Sequence, residues 1–244
     1  MARYTFGDDG EAVARLRLVS EAYRPYSAAF VAAHVAAGDG TVVDLGCGPG
    51  FSTQLLSEVC RPRRLVGLDT SASFVDAARR RVPGAEFAVH DARVTPLPVS
   101  PADVLYARLL LAHLPDPEAV ARRWLTELRP GGVLLVEDLE RVDAPPGPLR
   151  HYEELSARIV RAGGGSMYAG HRLEPLGGDC VAVEVPAAVA AEIYLFNVGR
   201  WLDECPAGVD RGSLVALADG LRGVEDGDGG TVSWHVRQLA VAGG

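Results

Sequence analysis

Residues 41–50 read TVVDLGCGPG, and this stretch decides the fold class. Its first five residues are β-branched or aliphatic apart from Asp44, which is typical of a buried strand. Gly46, Gly48 and Gly50 then end the strand where a helix should begin. Because glycine lacks a Cβ and tolerates positive φ, a nucleotide-like ligand can approach bare backbone at such a turn.

Two details of this turn indicate the charge of the ligand. Pro49 has no N–H to offer a phosphate, and the spacing Gly-x-Gly-x-Gly departs from the dinucleotide pattern Gly-x-Gly-x-x-Gly. Asp44 places a carboxylate at the end of the strand, where it would repel a pyrophosphate. The turn therefore predicts a cationic ligand that carries an amine.

Read with the segments that follow it, the stretch resembles motif I of the class I S-adenosylmethionine-dependent methyltransferases, and the resemblance extends over residues 41–140. It implies S-adenosylmethionine as methyl donor and S-adenosylhomocysteine as product. It also implies that the sulfonium and amino group lie over the turn, whose contacting residues would be Asp44, Gly46, Cys47, Gly48 and Gly50.

Two further acids follow predicted strands. Asp69 ends the strand at 65–69, at the distance from Gly46 where nucleotide-binding folds hold a ribose diol, and Thr70 follows it. The alternative is that Asp69 caps a helix at 73–81. Asp91 and Ala92 follow the strand at 86–90, and the resemblance implies that they bind the adenine amino group and ring.

The order of strands and helices predicts the architecture. Their alternation predicts an α/β fold with helices on both faces of a parallel sheet, and the resemblance implies a Rossmann-like sheet of seven strands, mostly parallel, whose last strand is antiparallel. Residues 1–40 would form an N-terminal helical cap with helices at 11–23 and 26–37. Residues 41–244 would form the methyltransferase domain, divided into a cofactor-binding half (41–140) and a substrate-side half (141–244).

The resemblance implies that the N-terminal leader, which is rich in aromatic residues, forms a lid over the ligands; the equal alternative is that these residues anchor an N-terminal helix on the core. Candidate substrate contacts are Tyr4, Tyr23, Tyr168 and His171. The candidate bases are His113 and Asp138, and then His151 and His171. The ordinary pKa of a histidine such as His113, near 6.5, suits a base at neutral pH. A packing role for His113 is the alternative. Arg108 could orient the carboxylate of the cofactor or an anionic substrate.

Composition excludes several other functions. A net charge of −8 argues against a nucleic-acid surface, and all 24 basic residues are arginine, which excludes lysine Schiff-base chemistry. The 4 cysteines form no Cys-x-x-Cys pair, so we expect no metal site. No apolar run is long enough to span a membrane, and the first residues do not resemble a signal peptide, so we expect a cytoplasmic protein.

The sequence is thus interpreted as a methyltransferase that acts on oxygen or nitrogen of a small-molecule metabolite, in bacterial secondary metabolism. Three alternatives stay open: an S-adenosylmethionine-binding protein that does not methylate, such as a cyclase; a protein or peptide methyltransferase; and an NAD-dependent oxidoreductase, against which Asp44, Pro49 and Asp91 speak. The oligomeric state, monomer or homodimer, is left open.

Overall fold

The computed structural model describes residues 7–38, 40–162, 164–224 and 230–244. The helices are α1 (Gly10–His34), α2 (Phe51–Cys60), α3 (Ala72–Arg81), α4 (Pro117–Leu125), α5 (Pro148–Ala162), α6 (Ala187–Glu204) and α7 (Arg211–Arg222). The strands are β1 (Thr41–Leu45), β2 (Arg64–Asp69), β3 (Glu86–Val89), β4 (Ala102–Arg108), β5 (Leu128–Asp143), β6 (Asp179–Pro186) and β7 (Thr231–Ala242). Two 3₁₀ turns lie at Leu111–His113 and Gly170–Leu176.

The described strands form one seven-stranded sheet in the order β3-β2-β1-β4-β5-β7-β6. Strands β1 to β5 are parallel, and β7 is antiparallel to both of its neighbours. The predicted fold class is therefore confirmed. The strand order reverses between β1 and β4, and such a reversal opens a crevice at the carboxyl ends of the strands.

Helices pack on both faces of the sheet. On one face, α1 and α2 pack against the sheet through Phe30, Val31 and Leu55. They form one apolar cluster with Val42, Leu56, Leu65, Val104, Leu135 and the buried Tyr106 of β4. On the other face, Trp124 of α4 is fully buried against the sheet. Both faces are apolar because a parallel sheet covered by helices is shielded from water on either side.

α1 is a single helix with Pro25 inside it, so the prediction of two helices is wrong. An interior proline costs about 3 kcal/mol. The helix continues because both of its halves bury large side chains, Tyr23 on one side of Pro25 and Phe30 and Val31 on the other. Each such burial contributes about 1.5–3 kcal/mol, which together exceeds the cost of the proline.

The beginning of α1 is fastened to two distant helices. The hydroxyl groups of Ser71 and Ser73, at the start of α3, both donate to Asp8, at 2.8 Å to its side chain and 2.8 Å to its carbonyl respectively. Asp9 caps α1 and also pairs with Arg200 of α6 at 2.8 Å. The beginning of α1 therefore links α3 to α6.

β5 runs from Leu128 to Asp143 and is much longer than the expected strand at 133–138. β7 pairs with it from Val133 to Asp143, and this long antiparallel ladder satisfies backbone groups that would otherwise end the strand. The other predicted helices and strands occur with shifts of a few residues at their ends. In the described part of the chain, no helix is long and apolar enough to cross a membrane.

Candidate functional site

The three glycines of the first turn all have positive φ: 66° at Gly46, 51° at Gly48 and 87° at Gly50. A Cβ at Gly46 would lie 2.8 Å from Leu110 Cδ1, and one at Gly50 would lie 3.0 Å from the backbone of Ala78. At Gly48 the nearest atom would be Leu16 Cδ1 of α1, 4.0 Å away. Gly46 and Gly50 thus allow close packing, while Gly48 leaves open space between the turn and α1.

Asp44 lies beneath this turn and is fully buried. Its Oδ2 accepts hydrogen bonds from Ser52 Oγ at 2.7 Å and Thr53 Oγ1 at 2.6 Å, and burial raises its pKa to about 6. Asp44 therefore ties the turn to the beginning of α2, and direct contact with a cationic ligand stays a prediction. Cys47 is also buried, and its N–H donates to Leu68 O at 3.0 Å, so its thiol belongs to the core.

Asp69 lies at the end of β2, directly beside the glycine turn. Its Oδ2 accepts from the Gly48 N–H at 2.8 Å and its Oδ1 from the Ser71 N–H at 2.8 Å. The alternative role as helix cap is wrong, because Ser71 is the N-cap residue of α3. Burial raises the pKa of Asp69, and the neighbouring Thr70 is exposed. The structure thus brings Asp69 and Gly48 together, as a ribose site requires.

The pair Asp91 and Ala92 is partly occupied by protein contacts. Arg93 Nη2 donates to Asp91 Oδ2 at 2.6 Å, and this guanidinium lowers the pKa of Asp91. The carbonyl of the buried Ala92 accepts from Trp124 Nε1 at 2.8 Å. An adenine amino group would share the Asp91 carboxylate with Arg93, and its binding here stays a prediction.

His113 lies on the 3₁₀ turn after β4, Asp138 bonds that turn, and burial shifts the pKa of both groups. Asp138 is fully buried, and its Oδ2 accepts from the Leu111 N–H at 2.8 Å, so it fixes the turn. Burial raises its pKa to about 7. For His113, burial and the charge of Arg15 lower the pKa to about 4. The expectation of an ordinary pKa for His113 is therefore wrong, and the imidazole is neutral at pH 7.

Arg108 is held against α1. Its guanidinium donates to Ser20 Oγ at 3.1 Å and to Ser27 Oγ at 3.4 Å, and its Cζ lies 5.6 Å from the centre of the Tyr23 ring. Tyr23 is itself buried, with its ring centre 5.7 Å from that of Trp234. The packing role left open for the leader aromatics applies to Tyr23, and Tyr4 lies outside the described residues.

The two remaining substrate candidates have different surroundings. The Tyr168 hydroxyl donates to Oε2 of the buried Glu153 at 3.2 Å, and burial raises the pKa of Glu153 to about 7. His171 is exposed on the turn Gly170–Leu176, and His151 is exposed on α5. The structure therefore does not bring His171 or His151 together with the buried members of the site.

Sequence reasoning missed Arg15, Arg81 and Glu153. Arg15 occupies the buried stripe of α1 between Ala12 and Val19, and a charged residue at apolar helical spacing was a usable signal. Arg81 Nε donates to the carbonyl of Pro49 at 3.0 Å, and its Cζ lies 3.7 Å from the ring centre of Phe51, so it braces the glycine turn. No sequence signal links Arg81 to that turn.

Comparison with known proteins identifies the family. Residues 43–136 match the family model described as "Methyltransferase domain". The trans-aconitate 2-methyltransferase of Azoarcus sp. (strain BH72) is 40% identical over 121 residues, which is 50% of this chain and 44% of the relative. Residues 43–136 therefore belong to the class I S-adenosylmethionine-dependent methyltransferase family. The chain spans about half the length of the curated relatives it matches. The matched segment covers 44% of the Azoarcus protein and 52% of the trans-aconitate 2-methyltransferase of Methylobacterium nodulans.

Solved structures of low identity share the fold of this methyltransferase domain. Coclaurine N-methyltransferase, bound to N-methylheliamine and S-adenosylhomocysteine, is 16% identical with a TM-score of 0.51 over 83% of this chain and 67% of its own. The (4+2)-cyclase SpnF is 17% identical with a TM-score of 0.54 over 89% of this chain and 79% of its own. These likenesses show the fold alone.

The crevice of the methyltransferase domain fits S-adenosylmethionine, the cofactor of the family. The absent Cβ of Gly48 leaves backbone exposed under α1, and the Asp69 carboxylate lies within 2.8 Å of the same backbone N–H. A nucleoside needs a hydrogen-bond acceptor for its diol beside a turn that it can approach closely, and both are present.

Proposed function

We propose that this methyltransferase transfers the methyl group of S-adenosylmethionine to an oxygen or nitrogen atom of a small-molecule metabolite. The observation that carries the proposal is the open turn at Gly48, whose N–H bonds the Asp69 carboxylate at 2.8 Å. When bound, the cofactor supplies a methyl group activated by a sulfonium. A role in bacterial secondary metabolism and a cytoplasmic location belong to the same proposal.

The residues proposed to hold the cofactor all surround the crevice at the carboxyl ends of β1 to β4. Asp69 would hold the ribose and Asp91 the adenine. The full set is Asp44, Gly46, Cys47, Gly48, Gly50, Asp69, Thr70, Asp91, Ala92 and Arg108. Asp44 and Arg108 would act indirectly, because their hydrogen bonds go to α2 and α1.

The state of the candidate bases favours an acceptor that is already deprotonated. His113, with a pKa lowered to about 4, is a weak base, and Asp138 uses its oxygens on backbone N–H groups. A carboxylate is deprotonated at neutral pH and needs no base. The names of the curated relatives point the same way, since trans-aconitate is a carboxylic acid. We therefore favour O-methylation of a carboxylate to a methyl ester.

Under this proposal, positioning supplies most of the catalysis. Holding an acceptor oxygen about 3 Å from the methyl carbon, aligned with the breaking bond, accounts for roughly 7–11 kcal/mol of the barrier in well-oriented reactions. The buried Asp138 fixes the turn that carries His113, and α1 covers the crevice from the other side. Both arrangements restrict the acceptor and exclude water.

Calorimetry and mass spectrometry test the proposal on the full chain. We expect S-adenosylhomocysteine to bind and NAD not to bind. With S-adenosylmethionine, we expect trans-aconitate or another carboxylic acid to gain the mass of one CH₂ unit. Binding of NAD instead would favour the oxidoreductase.

Cofactor binding without methylation of any small molecule would favour a protein methyltransferase or a cyclase. Mass gain on a peptide would indicate a protein methyltransferase. A rearranged product of unchanged mass would indicate a cyclase.

A further inference from the structure

Arg81, the last residue of α3, contacts the glycine turn from the side of that helix. Its Nε donates to the carbonyl of Pro49 at 3.0 Å, and its Cζ lies 3.7 Å from the ring centre of Phe51, the first residue of α2. A planar guanidinium can stack on a ring and donate from its edge at the same time. The ring of Phe51 therefore supports the guanidinium while it bonds the turn.

The peptide group between Pro49 and Gly50 is held on both of its sides. The carbonyl of Pro49 accepts from Arg81, and the N–H of Gly50 donates to the carbonyl of Cys47 at 3.0 Å. Because the C=O and N–H of a trans peptide point in opposite directions, these two bonds fix the plane of the group. Pro49 and Gly50 are both buried, so loss of the bond from Arg81 would leave a buried carbonyl without this donor.

The glycines of the turn explain why this restraint matters. Gly48 and Gly50 have φ of 51° and 87°, and glycine populates other conformations about as readily. The N–H of Gly48 donates to Asp69, which restrains the peptide group before Gly48 but not the one after Pro49. Arg81 therefore restrains the part of the turn that Asp69 does not reach.

The two other arginines at the end of α3 have different surroundings. Arg79 donates to Asp76 Oδ1 at 2.8 Å and to the carbonyl of Phe87 at 2.9 Å. Arg80 is exposed. A favourable interaction with the helix dipole is open to all three arginines, so the bond to Pro49 is what distinguishes Arg81 from its neighbours.

We propose that Arg81 is a positioning residue for S-adenosylmethionine, which holds the turn in the conformation that receives the amine-bearing part of the cofactor. It acts through the carbonyl of Pro49 and does not contact the ligand. The inference rests on the cofactor site of the proposed function and deepens it. Asp69 serves the ribose, and Arg81 serves the part of the ligand that lies over the turn.

The test is calorimetry of three ligands on the full chain. S-adenosylhomocysteine carries a nucleoside, an amine and a carboxylate; its decarboxylated analogue keeps the amine; methylthioadenosine has neither the amine nor the carboxylate. We expect Arg81→Gln to weaken the first two ligands by the same factor, about tenfold, which corresponds to one hydrogen bond to a charged group. Methylthioadenosine should bind almost as it does to the wild type.

Two further variants separate the role of Arg81 from a general effect of the substitution. Arg81→Lys should recover part of the affinity, because lysine keeps the charge and can donate to the carbonyl, although it lacks the planar group that stacks on Phe51. Arg80→Gln is the matched control on the same helix, and it should bind all three ligands as the wild type does.

Other outcomes contradict the inference. Unchanged affinity of Arg81→Gln for S-adenosylhomocysteine would show that the turn does not need Arg81. A loss confined to S-adenosylhomocysteine would mean that Arg81 contacts the carboxylate directly, and equal losses for all three ligands would indicate a general defect of the crevice. If the wild type does not bind methylthioadenosine, the first two ligands and the lysine variant decide.

Failure of the proposed function is recognised separately. Wild-type protein that binds no S-adenosylhomocysteine lacks the cofactor site itself. Wild-type protein that binds it but methylates nothing leaves the affinities of the variants measurable, so the role of Arg81 is still decided.

Discussion

Asp69 is the residue on which the proposed cofactor site depends most directly. Its two oxygens each accept a backbone N–H at 2.8 Å, from Gly48 and Ser71. We expect Asp69→Asn to weaken S-adenosylhomocysteine binding at least about tenfold, because a hydrogen bond to a charged group contributes about 1.5–3 kcal/mol. Asparagine keeps one oxygen acceptor and the same shape, so the fold should persist. Calorimetry measures the affinity and circular dichroism the fold.

Asp76→Asn is the control for this change, because Asp76 is exposed on α3 and pairs with a surface arginine, Arg79. Its affinity for S-adenosylhomocysteine should equal that of the wild type. If Asp69→Asn also binds as tightly as the wild type, the ribose lies elsewhere.

The sequence could predict the place of Asp69 and could not predict the character of His113. A carboxylate at the end of a parallel strand has a position fixed by local pattern alone, since the strand and the turn are adjacent in the sheet. The pKa of His113 depends on burial and on Arg15, which α1 brings from a distant part of the chain. Contacts of this kind follow from tertiary packing and have no local signal.

Among the helices and strands, α1 offers the clearest test of whether tertiary packing outweighs local helix propensity. Pro25 lies exposed within the helix, so its removal costs no core packing. We expect Pro25→Ala to raise the free energy of unfolding by about 1–2 kcal/mol. Alanine restores a helix hydrogen bond and removes the unfavourable helix propensity of proline, which stabilises the folded state by about 3 kcal/mol. This gain exceeds the loss of stability that comes from the greater conformational entropy of alanine in the unfolded chain. Urea denaturation followed by circular dichroism measures the change.

Pro117→Ala provides the comparison, since Pro117 stands in the first turn of α4, where the N–H has no helical partner to lose. This variant should not be stabilised. A Pro25→Ala variant less stable than the wild type would mean that the helix needs the proline to follow the surface beneath it.

Helices and strands with strong local patterns could be predicted from the sequence. Their continuation through proline or glycine could not. The short strands β1, β2 and β4 are apolar runs ended by glycine or charged residues, and their positions follow from sequence. The continuity of α1 and the full length of β5 depend on partners, the core beneath α1 and the ladder with β7. Proline and glycine therefore suggested ends that tertiary contacts override.

For the whole molecule, buried acids set the dependence of stability on pH. Burial raises the pKa of Asp44 to about 6, and those of Asp138 and Glu153 to about 7. The folded state keeps these protons at pH values where the unfolded chain has released them. The stability that the protonated acids contribute is therefore full below about pH 4 and is lost as pH rises to about 7. The lowered pKa of His113 has the opposite effect: the stability that the neutral imidazole contributes is full above about pH 6.5 and is lost as the pH falls to about 4.

Glu153→Gln tests this dependence, because glutamine keeps the shape and can still accept from Tyr168. Relative to the wild type, the variant should gain stability between pH 5 and pH 8, by up to about 3 kcal/mol for the shift from 4.5 to about 7. Urea denaturation at the two pH values measures it. Glu154→Gln, its exposed neighbour, should show no such difference. Parallel behaviour of Glu153→Gln and the wild type would mean that Glu153 titrates normally.

The bridge formed by the beginning of α1 has a thermodynamic consequence. Asp8 joins it to α3 next to Asp69, and Asp9 joins it to α6. If a methyl donor bound beside Asp69 and an acceptor bound beside α6 both ordered this helix, each would tighten the binding of the other by the same factor.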